Sequence, residues 1–486
     1  MNKESFRMRL WLAITCIFSS FGLLLVCSRN SFLYLMNDWG DPATLFTVGR
    51  SMIHGKVLYR DIYEHKGFYY CAMHALAAAI NEKSYIAIFV MEVIAFAVFL
   101  YFVYKTWRLF LDEKCIMALP IFGALVISSL SFCQGDSVEE FCMPILMYSI
   151  YELFKFLRVK EDKSVKGNIG LWIIQGVLTG IIFWMKYALC AFYIGWCIFI
   201  AIYFFKKKDI KSIIEIALLW LVGMIVASVP AIIYFASNNA LSDLWHVYGY
   251  NLIFAYKPNA KGNMNLLLFV FLSLFINILF IIAGVITAMT DKLDANEKLA
   301  IRLMFLGNVI YTLFFAWKEK YVLLCFMPIF AVWFIGLMYL IINIFPEDFK
   351  FEKLLIPIML VSVVVSSIVC INTNKIGDKK EDYVQYEFAE IINKEKNPSL
   401  LVYRGQECGF YFATGLLPTT KYITFYNIHL PEIDDEMDRY IKDKEVEFVI
   451  TIEKEPENVK RNYELVATKD YKFLSETQKY YLWKAK

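Results

Sequence analysis

Ser212–Ala236 reads SIIEIALLWLVGMIVASVPAIIYFA, a run in which Glu215 is the one charged residue. About 20 such residues in a helix span the hydrocarbon of a bilayer. A strand is excluded, because the run is too long and too evenly apolar. A sheet edge in lipid would also leave its backbone groups without partners. Working outward, similar runs lie at 10–28, 86–104, 115–133, 138–157, 169–186, 188–205, 265–289, 303–316, 321–345 and 354–371. The expected fold is therefore an all-α polytopic membrane bundle of about eleven transmembrane helices.

Composition agrees. Of 486 residues 59% are hydrophobic, 17% aromatic and 20% charged, with a net charge of +3. Average soluble domains are nearer ~45–50% apolar. The excess excludes a soluble enzyme, a disordered chain and a nucleic-acid binder working through bulk positive charge. The 11 cysteines lie mostly inside apolar runs and none forms a CxxC pair. Neither a zinc site nor a disulfide framework is indicated.

Lysine and arginine bias sets the expected orientation. Lys3, Arg7 and Arg9 precede the first span. Lys105, Arg108 and Lys114, then Lys155 to Lys166, then Lys206 to Lys211, then Lys292, Lys298 and Arg302 fill alternate connections. All fall on one side if the N-terminus is cytoplasmic, and an odd span count puts the C-terminus outside. The first apolar run lacks a following small-residue cleavage site, so it reads as a retained helix of a plasma-membrane protein rather than a signal peptide.

Two regions break the hydropathy pattern. Segment 29–85 is too polar to span and too long for a turn, and has the pattern of short interfacial helices in a first outer loop. Segment 372–486 is dense in charge. Val384, Phe388, Ile391 and Ile392 repeat at helical spacing there, followed by strand-like runs Leu400–Tyr403, Tyr422–Tyr426, Phe448–Ile452 and Tyr480–Trp483. The expected division is a membrane module, 1–371, and a small extracytoplasmic α/β domain, 372–486.

The outer loop holds the best chemical signal: Asn37-Asp38-Trp39-Gly40-Asp41, then Gly55 to Asp61, then Glu64-His65-Lys66-Gly67. Arg50, Lys56, Arg60 and Lys66 stand on the side that the charge bias keeps poor in bases. Anionic lipid phosphate would explain them, and so would the tolerance of long loops for charge. On its residues alone, Asp41 before Pro42 suits an N-cap and first-turn pair. Asp38 and Asp61 read as structural, with Asp61 paired to a nearby base. Glu139-Glu140 suits a helix start favoured by the dipole, and Lys318-Glu319-Lys320 a polar turn. Lys186 reads as a snorkelling side chain, and Trp245, His246, Tyr248 and Tyr250 as an aromatic belt. There is no P-loop, no GxGxxG after a strand, no HExxH and no GxSxG in a hydrolase setting.

The series Gly40-Asp41, Phe46, Gly49, Gly55, Val57, Tyr59-Arg60-Asp61 and Glu64-His65-Lys66-Gly67 resembles the first outer loop of GT-C membrane glycosyltransferases. The similarity is to the bacterial protein-mannosyltransferase-like and aminoarabinose-transferase-like enzymes, whose loop reads D-x-x-x-F, G-x-x-x-Y-R-D and H-K-x-P. It extends to Glu139-Glu140-Phe141, to Lys320-Tyr321 with Pro328, and to Tyr411–Gly415, Pro418 and Tyr422-Ile423. Phe68 stands where the family has proline, which would stiffen the entry to the next helix.

The resemblance implies transfer of a sugar from a polyprenyl-phosphate donor to an extracytoplasmic envelope glycan, lipid or protein, with inversion. A lipid phosphate leaves readily, so the site needs a base for the acceptor hydroxyl and cations for the phosphate. Asp41 matches the family's catalytic acid. Glu139 or Glu140 would orient the acceptor or a divalent cation, Mg or Mn. Arg60, His65, Lys66, Lys318 and Lys320 are the candidates for the phosphate. No nucleic acid is expected as a partner. A flippase or transporter of a lipid-linked saccharide is the rival, though its ionisable groups would sit near the midplane rather than at span ends. A non-catalytic family member is a second rival, which Phe68 keeps open.

Overall fold

A computed structural model describes residues 3–255, 266–316, 319–346, 349–426, 428, 430–473 and 476–486. Every one of the eleven expected apolar runs contains helix. Among the described residues seven helices are long and apolar enough to cross a membrane: Phe6–Cys27, Ile86–Trp107, Lys166–Lys206, Ile210–Ser237, Ala295–Phe315, Lys320–Ile342 and Glu352–Val369. Leu268–Ile276 and Ile278–Met289 make an eighth if counted as one span bent by 71°. The chain is thus a multi-pass membrane protein. The other expected runs are helical too, but are joined, shorter or more charged. The runs 169–186 and 188–205 are joined through a 3₁₀ turn, Tyr187–Cys190, with Lys186 extended at the junction. The run 115–133 yields a helix of only 10 residues, Ala118–Ile127. The helix Val138–Arg158 carries Glu139, Glu140, Glu152, Lys155 and Arg158, too many charges to count by apolarity.

The chain divides into two compact units. The first comprises Met1–Ser31, Phe89–Pro230 and Asn259–Asn374; the second comprises Phe32–Ile88, Ala231–Pro258 and Lys375–Lys486. In the first, helices pack closely where side chains vanish. A Cβ on Gly195 would fall 2.2 Å from the carbonyl oxygen of Leu303, so the helices Ala191–Lys206 and Ala295–Ile310 touch at backbone distance. Small residues permit that approach in lipid, where dispersion contacts hold helices together.

The second unit joins the outer loop to the C-terminal region. The loop supplies two helices, Gly40–Ile53 and Phe68–Ile80. They cross at Gly49, where a Cβ would lie 2.5 Å from the His74 backbone. The C-terminal region holds a four-stranded sheet, β1 (Leu400–Val402), β2 (Phe448–Ile452), β3 (Tyr463–Phe473) and β4 (Glu476–Ala485), in the order β1-β2-β4-β3. β1 and β2 run parallel, so the chain crosses over between them and forms the helix Pro431–Lys442 on the way. The other pairings are antiparallel. The helix Val384–Ile392 buries Val384, Phe388 and Ile392, one of the faces expected from periodicity.

Two readings of this region are corrected. Tyr422–Tyr426 is irregular rather than a strand. Its aromatic rings serve as packing anchors: Tyr422 and Tyr426 flank Tyr63 at ring distances of 5.2 and 4.7 Å. β3 had no counterpart in the sequence reading. It is an edge strand with a bulge between Leu465 and Ala467, and its residues are mostly exposed, which erases the apolar alternation.

Polar side chains add to the aromatic contacts between the loop and the C-terminal region. The Arg50 guanidinium donates to the carbonyls of Tyr411 (3.0 Å) and Gly415 (2.9 Å), at the end of the short helix Phe410–Thr414. The Tyr471 hydroxyl donates to Asp38 Oδ2 at 2.6 Å. Arg50 therefore answers to helix-end carbonyls, a reading neither lipid phosphate nor loop tolerance anticipated.

Candidate functional site

The helix Gly40–Ile53 starts with Trp39 in the N-cap position and no side-chain cap. Asp41 sits inside the first turn, so capping is not what fixes it. Its carboxylate, about one third exposed, meets the Lys66 ammonium at 3.1 Å. Lys66 comes from the other side of a tight turn. Tyr59 takes a positive φ of 70° there, its hydroxyl donates to the Lys66 carbonyl at 2.7 Å, and its ring stacks on Phe235 at 5.1 Å. Glu64 is buried and accepts the backbone N–H groups of His65 (2.9 Å) and Lys66 (3.2 Å). The same carboxylate lies 3.9 Å from Lys66 Nζ and 3.3 Å from His65 Nδ1.

Lys66 is the electrostatic centre of this group. Burial pulls its pKa down, but Asp41 and Glu64 more than offset this and hold it above the ordinary lysine range. It is therefore a fixed positive charge near neutrality. Gln406, Thr424, Phe425 and Tyr426 close the remaining walls of the cleft around Asp41. The cleft has a volume of about 30 Å³, enough for roughly one water and too small for a sugar.

These C-terminal wall residues carry no motif, and lie some 360 positions from Asp41, so the sequence offered no signal for them. The other loop candidates separate. Arg60 turns to Asp61, with Nε–Oδ1 and Nη2–Oδ2 both at 2.9 Å, and donates to the Asn238 carbonyl at 2.7 Å. Asp61 is held below the usual carboxylate range by that Arg60 bond, against some desolvation, with the Val57 N–H bond adding to it. The pair fixes the turn, as expected of Asp61, and Arg60 is not directed at the Asp41 cleft. Asp38 is structural through Tyr471.

Glu139 and Glu140 lie in the other unit, at the start of the helix Val138–Arg158, where Ser137 is the N-cap and accepts from the Glu140 N–H. Their side chains diverge. Glu140 accepts the Asp136 N–H at 2.9 Å, and the same N–H reaches Glu92, whose carboxylate also accepts from Ser28 Oγ at 2.7 Å. Glu139 receives Lys186 Nζ at 2.7 Å and the Tyr311 hydroxyl. Lys186 also lies over the rings of Tyr311 and Tyr321, 5.5 and 5.3 Å from their centroids. The snorkelling reading of Lys186 is thereby corrected: it pairs with a buried carboxylate. Lys320 is exposed at the start of the 3₁₀ turn Lys320–Phe326, and Lys318 lies outside the described residues. Among the described residues no three His, Cys, Asp or Glu side chains converge as a metal-holding set.

By sequence the chain matches no protein-family model and no curated protein. Its fold is similar to two solved structures of ArnT from Cupriavidus metallidurans. For the structure bound to undecaprenyl phosphate the TM-score is 0.60 and the identity 11%. For the apo state the TM-score is 0.60 and the identity 10%. Each alignment covers 99% of this chain and 98% of that one. The likeness spans both the helical bundle and the C-terminal region, and is one of fold.

Proposed function

We propose that this chain is a membrane glycosyltransferase that moves a sugar from a polyprenyl-phosphate donor to an acceptor hydroxyl outside the cytoplasm. The observation that carries the reading is the Asp41–Lys66 pair at 3.1 Å in a half-open cleft. The fold, shared with a protein crystallised with undecaprenyl phosphate, supports the lipid-linked donor.

The pair gives the reaction an order. While Lys66 holds Asp41, the carboxylate is neutralised and a poor base. A donor phosphate competes for the ammonium, which stays charged because two carboxylates stabilise it. Once Lys66 turns to the phosphate, Asp41 is released to accept the acceptor's proton. The acceptor oxygen then bonds to the anomeric carbon from the face opposite the phosphate. The carbon–oxygen bond to phosphate breaks, its electron pair stays on the lipid phosphate, and Lys66 stabilises that charge. Inversion follows from the opposite-face attack. Since the cleft holds about one water, donor binding has to widen it.

The test is transfer of labelled sugar from a purified polyprenyl-phosphate donor pool to envelope extracts by the protein in lipid nanodiscs. Transfer that is lost in Asp41→Asn, with labelled donor still bound, supports the reading. Saccharide movement across vesicles without any new glycosidic bond would replace it with transport.

A further inference from the structure

A second charged cavity lies within the first unit, well separated in sequence from Asp41 and the outer loop. Its volume is about 970 Å³, and Arg7, Arg9, Lys105 and Arg108 face it against Glu113 and Glu352. Four cations and two anions leave an excess of two positive charges. Four helix ends contribute: the start of Lys3–Cys27, the end of Ile86–Trp107, and the starts of Glu113–Met117 and Glu352–Val369. Helix ends that share one cavity share one membrane face, which is the basic face of the charge bias.

The surroundings are those of a bilayer boundary. Phe6 and Leu10, beside the arginines on the first helix, are 57% and 50% exposed. Trp11 and Tyr101 line the same cavity, as aromatic side chains do at headgroup depth. Some cations already have partners. Arg7 pairs with Glu352 at 3.0 Å, and Arg108 donates to the Leu111 carbonyl. Glu352 thus holds one guanidinium of the cavity, and the positive excess stays in place.

We propose that this cavity binds the headgroup of an anionic phospholipid from the basic face of the membrane. The phosphodiester would take further donors of Arg7, Arg9 and Lys105, the last of which lies over the Tyr151 ring at 5.8 Å, since guanidinium forks match phosphate oxygens. Headgroup hydroxyls would donate to Glu113 or Glu352. A soluble phosphate has no use for the exposed Phe6 and Leu10, so the lipid is the occupant the walls favour. Basic pockets between helix ends are physically suited to such lipids.

The experiment is native mass spectrometry of the full chain released from nanodiscs containing equal parts phosphatidylglycerol, phosphatidylethanolamine and phosphatidylcholine. Phosphatidylglycerol is expected to be retained preferentially. In Arg9→Gln/Lys105→Gln that preference should fall roughly 20–30-fold, the effect of removing two basic side chains near a headgroup. Unfolding in lipid-free detergent is expected to be unchanged by the double variant. If that variant does not fold, the wild type decides: its phosphatidylglycerol retention has to weaken with rising salt. Equal retention of the three lipids, an unchanged preference in the folded variant, or salt-insensitive retention would overturn the proposal. Displacement of the lipid by millimolar inorganic phosphate alone would overturn the lipid assignment in favour of a soluble anion.

Discussion

Lys66 Nζ lies 3.1 Å from Asp41 Oδ2, and both partners retain access to the cleft, with side-chain exposures of 10% and 33%. In the proposed reaction this pair is a latent base and a latent phosphate ligand at once. Asp41→Asn removes the base but keeps the side-chain shape. Sugar transfer should fall by roughly 10²–10⁴, the usual contribution of a positioned proton acceptor, while donor binding is little changed. Lys66→Ala should act differently, raising the donor KM and also lowering kcat, because the cation is needed in the ground state and as the phosphate leaves. Steady-state kinetics against donor concentration separates the two. Full activity in Asp41→Asn would refute the assignment.

Arg50 is 5% exposed and bonds two carbonyls of the C-terminal region. Arg50→Met should destabilise the protein by about 2–3 kcal/mol, the scale of buried hydrogen bonds to a charged group. Arg50→Lys should recover only part of this, since an ammonium cannot span both carbonyls as the fork does. Chemical unfolding followed by tryptophan fluorescence measures both. Equal stability of Arg50→Met and wild type would show that the two bonds contribute nothing net.

The membrane spans were legible because lipid leaves the backbone no alternative to helix. Three strands were legible because apolar β-branched and aromatic residues cluster at Leu400–Tyr403, Phe448–Ile452 and Tyr480–Trp483. Side-chain facing was not legible. Hydropathy shows that Lys186 ends an apolar run, but not that Glu139 waits opposite it. The loop motif marked Asp41, His65 and Lys66, which the structure does bring together. It also marked Arg60, whose neighbour Asp61 claims it locally. The Gln406 and Tyr426 walls and the Arg50 carbonyls depend on contacts across more than 350 residues. No local pattern encodes such contacts.

Glu139 and Lys186 offer a test of coupling inside the first unit. Their 2.7 Å contact buries the carboxylate fully and the ammonium mostly. Lys186→Met would leave a buried charge without its cation and should cost about 3–5 kcal/mol. Adding Glu139→Gln should restore part of that loss, because the Tyr311 hydroxyl still has an amide oxygen to bond. A double-mutant cycle on unfolding free energies is expected to give a coupling of at least about 1 kcal/mol. Strict additivity would mean that the two side chains act independently.

Glu407 makes stability depend on pH in a definite direction. Burial pushes its carboxyl up to about 7 from 4.5, although the N–H groups of Tyr411 and Gly409 and the nearby Arg50 charge oppose the shift. Between those two values the folded state binds more protons at this site than the unfolded chain does. Its contribution to stability is therefore complete below pH 4.5, declines as pH rises to about 7, and is flat above that. Glu407→Gln stays neutral throughout and can still accept one of the two backbone N–H bonds. The wild type should lose more stability than Glu407→Gln between pH 5 and pH 8, and the two curves should run parallel above pH 8. Thermal unfolding of both proteins in the same detergent across that range measures the difference. Identical pH slopes would place the Glu407 proton in solvent rather than in the fold.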